Sequence, residues 1–258
     1  MKSIKSLFKM VSGQARSTKK YVERRRRELS LELNDIFQAR VAYGLFRGMK
    51  LSQSASWSVY DRAPMLLGIY EEEVLEIILK LPAHIDVFIN IGAADGYYAI
   101  GALTSGRFRK SIAYEMEETS RRAMADNALL NNVVPHISIR ETADTQTLSL
   151  ISDDLRGNSF VLIDIEGYEF TLLNDKNLTL LKDTFVVVEI HIFDAESVDQ
   201  YQLLLERCKN THKTRVVMTG ARDLSRYPEI SHFSDNDRWL LCSEGRPYNM
   251  SWLVLEPL

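Results

Sequence analysis

The stretch "VFINIGAADGYYAIG", residues 87–101, decides the fold. Four apolar residues, Val87, Phe88, Ile89 and Ile91, run into Gly92 with Asn90 among them, an acid follows at Asp95, and a second glycine, Gly96, opens an apolar helical pattern. A strand that turns into a helix through glycine brings backbone N–H groups and the positive end of a helix to one point, where a ligand can sit.

The surrounding chain repeats the same alternation. Apolar β-rich runs lie near 85–91, 111–115, 136–140, 159–165, 184–192 and 214–219. Helical patterns lie near 70–82, 96–105, 117–130, 168–182 and 195–208. Strands alternating with helices predict right-handed βαβ units and a doubly wound, mostly parallel sheet with helices on both faces. The alternation ends at "RWLLCS" (238–243) and "SWLVLEP" (251–257), two strand-like runs separated by "EGRPYN". They predict an antiparallel hairpin that closes the sheet.

The turn is G-A-A-D-G, not the G-x-G-x-x-G of dinucleotide sites. It lacks the central glycine that admits a pyrophosphate, and Asp95 repels one. Glu115 stands at the tip of the second strand, about 20 residues on, where a carboxylate can accept hydrogen bonds from both hydroxyls of a ribose. Together these features point to a nucleoside without a pyrophosphate, carrying an amino-acid-like tail. S-adenosylmethionine answers that description.

Two further blocks sharpen the picture. "VLIDIEGYEFTLL" (161–173) places Asp164, Glu166 and Glu169 around a glycine at a strand end, and "FVVVEIH" (185–191) ends in Glu189 and His191. With "AYEMEETSRRAMADNALLNN" (113–132), these segments resemble the FkbM-like methyltransferases, S-adenosylmethionine-dependent enzymes of the class I fold. The resemblance covers roughly residues 85–192. It implies a seven-stranded, Rossmann-like α/β sheet with an antiparallel C-terminal strand, and methyl transfer to an oxygen of a sugar or other small acceptor. It further implies that Asn90, Gly92, Ala93, Asp95 and Gly96 line the cofactor, that Glu115 holds the ribose, that Asp144 meets the adenine edge, and that Asp164 and Glu166 lie beside the transferable methyl. Asn127 and Asn131 match two asparagines that often follow the second strand. Two positions depart from the pattern: Asn90 replaces a frequent acid, and Leu162 a frequent basic residue.

A hydroxyl acceptor must lose a proton, and Asp164, Glu166 or His191 could take it. The same carboxylates and imidazole are compatible with Mg²⁺, although a metal is not favoured on residue types alone. His84, His136, His212 and His232 are scattered and form no metal motif. The polar loop 221–238 carries Arg222, Arg226 and Arg238, which could meet an acidic or sugar acceptor. Two other classes stay open: a cofactor-binding module without turnover, and a nicotinamide-dependent oxidoreductase.

The 258 residues divide on this reading into a basic helical extension, 1–68, and a methyltransferase-like domain, 69–258. Hydrophobic residues make up 45% and charged residues 26%, ordinary for a globular chain. Residues 1–50 hold 13 lysines and arginines against four acids, whereas the rest holds 19 against 31. The acidic body argues against nucleic acid as a partner. No acid occurs before Glu23, and Ile4, Leu7, Phe8 and Val11 fall at helical spacing between lysines, so residues 1–28 could lie on an anionic membrane surface. A second stripe, Leu29, Leu33, Ile36, Phe37, Val41 and Leu45, predicts one helix face packed on the domain. Trp57, Trp239 and Trp252 are expected in the core or an interface. The two cysteines, Cys208 and Cys242, form no CxxC pattern and favour a reducing, cytoplasmic setting. Oligomeric state is not legible.

Overall fold

The computed structural model describes residues 4–52, 59–155, 157–246 and 248–258, with side chains from residue 18 onward. Helix α1 (Ile4–Ile36) comes first, followed by α2 (Arg62–Leu67) and α3 (Glu72–Lys80). The sheet unit then runs β1 (Val87–Ile91), α4 (Tyr97–Thr104), β2 (Lys110–Tyr114), α5 (Glu118–Leu130), β3 (Ile137–Arg140), α6 (Thr147–Leu150) and β4 (Ser159–Ile163). It continues through α7 (Glu169–Leu172), α8 (Asp175–Leu180), β5 (Phe185–Glu189), α9 (Ala195–Cys208), β6 (His212–Met218), α10 (Asp235–Cys242) and β7 (Ser251–Pro257).

The seven strands lie in the order β3-β2-β1-β4-β5-β7-β6, with β7 antiparallel to both its neighbours and the other pairings parallel. This is the doubly wound, Rossmann-like α/β architecture that the alternation predicts. Every residue of β1 and β4 is buried, as expected of central parallel strands covered on both faces. Side-chain parity divides the core in two. Phe88, Phe160, Leu162, Val187, Trp252 and Val254 face one layer, which α1, α2 and α4 complete. Val87, Ile89, Val161, Ile163, Val186 and Leu253 face the other.

The closing hairpin is made differently from the expectation. Strand β7 pairs with β6 over His212–Met218, and residues 238–243 fall largely within α10. Ser234 caps that helix by accepting from the Asp237 N–H at 3.2 Å, and Leu241 and Cys242 turn into the core. A short apolar run has no period of its own, and here the cap decides for helix. Likewise the expected helix over 168–182 is two short ones, α7 and α8, with Asn174 capping the second.

The N-terminal stripe is also divided. Leu29 and Leu33 are fully buried, but α1 stops at Ile36, where Gln38 and Ala39 adopt left-handed φ values of 51° and 55°. Val41 therefore reaches the core from a loop rather than from the helix. One continuous apolar cluster joins Leu29 and Leu33 to Leu66, Phe88 and Trp252, so it crosses position 68 without a break. Two of the four arginines at 24–27 are spent internally: Arg25 pairs with Asp237 at 2.8 Å and Arg26 with Asp61 at 3.0 Å. Among the described residues, no helix is long and apolar enough to cross a membrane. Trp252 is fully buried, Trp239 is half-exposed, and Trp57 lies outside the described residues. Both cysteines are free and buried.

Candidate functional site

The strand order reverses between β1 and its neighbours β2 and β4, and a ligand crevice is expected beyond the carboxyl ends there. A cavity of about 520 Å³ opens at that point. Asn90, Gly92, Ala93, Asp95, Glu115, Asp144, Asp164 and Glu166 all line it. These residues are dispersed over 77 positions of sequence and brought together by the sheet.

Gly92 is required by a close approach. Its φ is +85°, and a Cβ there would collide with the backbone carbonyl oxygen of Asp164. Gly96 has another role than the expected one. It does not line the cavity, and a Cβ on it would stand 2.6 Å from Met124 Cγ. It lets α4 and α5 pack closely. Glu115 fastens the turn, since its carboxylate accepts the Ala94 N–H and the Glu117 N–H, both at 2.8 Å. Asp144 caps its own turn, accepting from the Gln146 N–H at 2.8 Å, and these bonds hold its carboxyl below the ordinary range. Asp95 is pushed up by burial, with the Arg62 guanidinium opposing. Asn127 and Asn131 do not line the cavity. They pin the segment before it, accepting the Ser52 and Lys50 N–H groups at 2.8 Å each.

Three buried polar atoms around the cavity have no partner: Asn90 Oδ1, on a residue 2% exposed, the Tyr97 hydroxyl and Asp164 Oδ1. Leaving such groups unpaired costs about 1–3 kcal/mol each. A polar ligand in the cavity would satisfy them.

The far end of the cavity holds residues that the sequence reading did not assign. Sheet parity puts Glu189 and Trp252 side by side in register on the cavity face. Glu71, Tyr70 and Tyr98 come from the chain before the sheet. Arg246 Nη1 donates to Glu189 at 2.6 Å, Nη2 to Glu71, and Nε to Glu244 at 2.8 Å. Its guanidinium also lies 5.8 Å from the Trp252 ring and 6.0 Å from Tyr70. Arg222 is committed to Glu73 at 3.0 Å and Glu244 at 2.9 Å. Arg226 pairs with Glu72 and Arg238 with Asp235. All three loop arginines thus pair with the protein's own acids. No local motif announces Glu71 or Arg246, since their meeting spans 175 residues.

Burial pushes the Glu71 carboxyl up to about 8, reinforced by Glu189 and Glu244 and opposed by Arg246 and by the Tyr98 hydroxyl, which donates to it at 2.9 Å. The folded protein therefore holds a proton there that the unfolded chain releases near its ordinary value. This contribution to stability is full at low pH and is lost as pH rises towards 8, at up to about 1.4 kcal/mol per pH unit. Urea midpoints at pH 6 and pH 8 are expected to differ less in Glu71→Gln than in the native chain. An equal difference would exclude Glu71 as the titrating group.

His191 stands just behind the cavity, 5% exposed. Its Nδ1 lies 3.3 Å from Glu169 Oε1, and its Nε2 lies 3.7 Å from Asp164 Oδ1 and 3.6 Å from Glu166 Oε2. Burial opposes charge on this imidazole, but Glu169, Glu189 and Glu166 outweigh it and raise the histidine above its ordinary value. Burial, with Glu189, Glu71 and Glu166 around it, holds the Asp164 carboxyl well above the ordinary range. Asp164, Glu166 and His191 thus come together in space, with one ligand atom of each within 4.8 Å of the others. His84, His136 and His232 stay outside this cluster, and His212 is buried against the Leu181 and Thr184 carbonyls.

Neither a known protein family nor a curated protein matches the sequence of this chain. Solved structures of similar shape include the B. subtilis m1A22 tRNA methyltransferase TrmK, with 13% identity, 71% of this chain and 64% of that chain covered, and a TM-score of 0.47. The precorrin-6y C5,15-methyltransferase of Geobacter metallireducens has 12% identity, 81% and 93% coverage and a TM-score of 0.47. M. jannaschii TYW2, solved with S-adenosylmethionine, has 15% identity, 72% and 76% coverage and a TM-score of 0.44. The chain has the class I methyltransferase fold, as its strand order and antiparallel β7 show.

Proposed function

We propose that the protein is an S-adenosylmethionine-dependent methyltransferase that acts on a hydroxyl of a sugar, glycan or other small acceptor. The observation that carries this reading is the cavity at the switch point, which gathers the glycine turn, Glu115 and Asp164 beside the unpartnered Asn90 Oδ1 and Tyr97 hydroxyl. The turn, G-A-A-D-G, lacks the central glycine of the pyrophosphate-binding pattern, which disfavours a nicotinamide cofactor. The sequence resemblance to FkbM-like enzymes supports transfer to oxygen.

S-adenosylmethionine, when bound, supplies a methyl group on a sulfonium. Asn90 and the backbone of Gly92–Asp95 would hold its amino-acid end, Glu115 its ribose and the Asp144 turn its base. Asn90 Oδ1 can accept a hydrogen bond from an ammonium, but it brings no countercharge. The acceptor would enter beside Tyr70, Tyr98 and Trp252, whose rings exclude water and suit the apolar face of a sugar. Its hydroxyl would lose its proton to a carboxylate of the Asp164–Glu166 pair, within the reach that general base catalysis needs. Alignment and exclusion of water supply the rest of the rate.

Calorimetric titration tests the first step. The native chain is expected to bind S-adenosylmethionine and not NADH. Glu115→Ala is expected to weaken that binding by about 1–3 kcal/mol, through lost hydrogen bonds to the ligand and a loosened Ala94 turn. Unchanged affinity would remove Glu115 from the site, and no binding by the native chain would sink the proposal. Binding without release of S-adenosylhomocysteine across sugar and small-molecule acceptors would instead identify a cofactor-binding module.

A further inference from the structure

The imidazole of His191 faces acids on both sides. Glu169, fully buried, accepts the His191 backbone N–H at 2.9 Å and the Gly167 N–H at 2.8 Å, and it lies 3.3 Å from Nδ1. Nδ1 completes no hydrogen bond in the structure, but the carboxylate beside it favours the ring hydrogen on Nδ1. The lone pair of Nε2 is then directed at Asp164 Oδ1 and Glu166 Oε2, neither within hydrogen-bond distance. Three electron-rich atoms converge within 4.8 Å of one another. One of them, Asp164 Oδ1, is shielded from solvent and has no hydrogen-bond partner.

Such a convergence is unfavourable unless positive charge lies between the atoms. The chain also holds it in place at a cost. Glu166 adopts φ +52°, a left-handed conformation rare outside glycine, and strained residues of this kind persist where surrounding structure enforces a function. A carboxylate beside the far ring nitrogen, here Glu169 at 3.3 Å, is the arrangement that metal-bound histidines use. Ligand atoms around an ion at about 2.1 Å lie roughly 3.0–3.4 Å apart in octahedral or tetrahedral sites. Closing the two distances from His191 Nε2, 3.6 and 3.7 Å, to that range takes side-chain shifts of about half an ångström, and the two carboxylates, whose ligand atoms lie within 4.8 Å of each other, have to approach by up to about 1.5 Å.

We propose that Asp164, Glu166 and the Nε2 atom of His191 bind a divalent cation of the Mn²⁺ type at the edge of the cavity, with Glu169 as the residue that positions the imidazole. Two carboxylates and one imidazole form a mixed donor set suited to an ion between the hard and borderline classes. Asp164 and Glu166 line the cavity, so the ion's remaining positions open onto it. There they would take oxygens of the acceptor, which selects for acceptors with two neighbouring oxygen atoms. That last clause rests on the methyltransferase reading; binding of the cation does not.

The test is titration of the full chain, stripped with chelator, with Mn²⁺ followed by the loss of the free-ion electron paramagnetic resonance signal. One ion per chain is expected. His191→Ala and Glu166→Gln are each expected to weaken binding at least tenfold, and Glu169→Gln about tenfold through the loosened ring. Circular dichroism verifies folding. Should His191→Ala not fold, Glu166→Gln decides, since that side chain is 62% exposed and removable without disturbing the core. No Mn²⁺ binding at millimolar concentration overturns the proposal, and a proton then occupies the gap. Equal binding by the native chain and Glu166→Gln overturns it too, because the ion then sits elsewhere. A parallel titration with S-adenosylmethionine separates the two readings: Mn²⁺ binding without cofactor binding supports the ion and removes the methyltransferase, and the reverse removes only the ion.

Discussion

Gly92→Ala is expected to destabilise the fold by about 3 kcal/mol or more. Two costs add. A non-glycine residue held in the left-handed region loses about 1–2 kcal/mol, and forcing extra volume into a packed interior costs typically 1–3 kcal/mol. Here the obstacle is backbone, the carbonyl of Asp164, which no rotamer change can move. The two strand ends are also bonded in place: the Gly92 N–H donates to the Tyr114 carbonyl and the Asp164 N–H to the Ile91 carbonyl, each at 2.9 Å. Relief would separate β1 from β4 at the centre of the sheet. Urea unfolding measures the effect. A variant as stable as the native chain would mean that β1 and β4 do not approach as described.

Arg246→Ala carries a comparable penalty by a different route. The guanidinium is shared by Glu71, Glu189 and Glu244, of which Glu71 is 4% and Glu189 2% exposed. Removing one partner of a buried ion pair costs about 3–5 kcal/mol, because the charge left behind has neither water nor a counterion. The loss should be larger at pH 8 than at pH 6. Glu71 is raised to about 8, so it is largely protonated at the lower pH and has less need of the arginine. Unfolding curves at both values test this, and a loss below about 1 kcal/mol at pH 8 would show that the acids do not depend on Arg246. The buried cations of this end of the cavity thus act first on the fold.

Most of the frame was legible because its signals are local. The run 87–91, the glycine at 92 and the acids at 115, 164 and 166 each belong to a strand or its tip, and strand tips of a doubly wound sheet share one edge. What was hidden depends on distant pairing. Glu71 and Arg246 meet across the whole sheet unit, and Tyr70 and Tyr98 read as ordinary helix and turn residues. The run 238–243 looked like a strand because six residues are too few to show a period, and its capping serine lies four residues earlier. Gly96 looked like part of the binding turn, although its hydrogen atom faces Met124. In each case the neighbour that determines the residue's role is supplied by tertiary structure.

The internal use of Arg25 and Arg26 bears on how the chain can be shortened. Arg26 also donates to the Ser243 carbonyl at 2.9 Å, three residues from Arg246. The first helix is therefore a mooring line for the loop that carries the acid-binding arginine. Trimming the chain at residue 28 to remove its lysine-rich start would cut that line as well. A test of membrane attachment has to trim ahead of Arg25, or it will report slackness in the cavity as though it were lost contact with lipid.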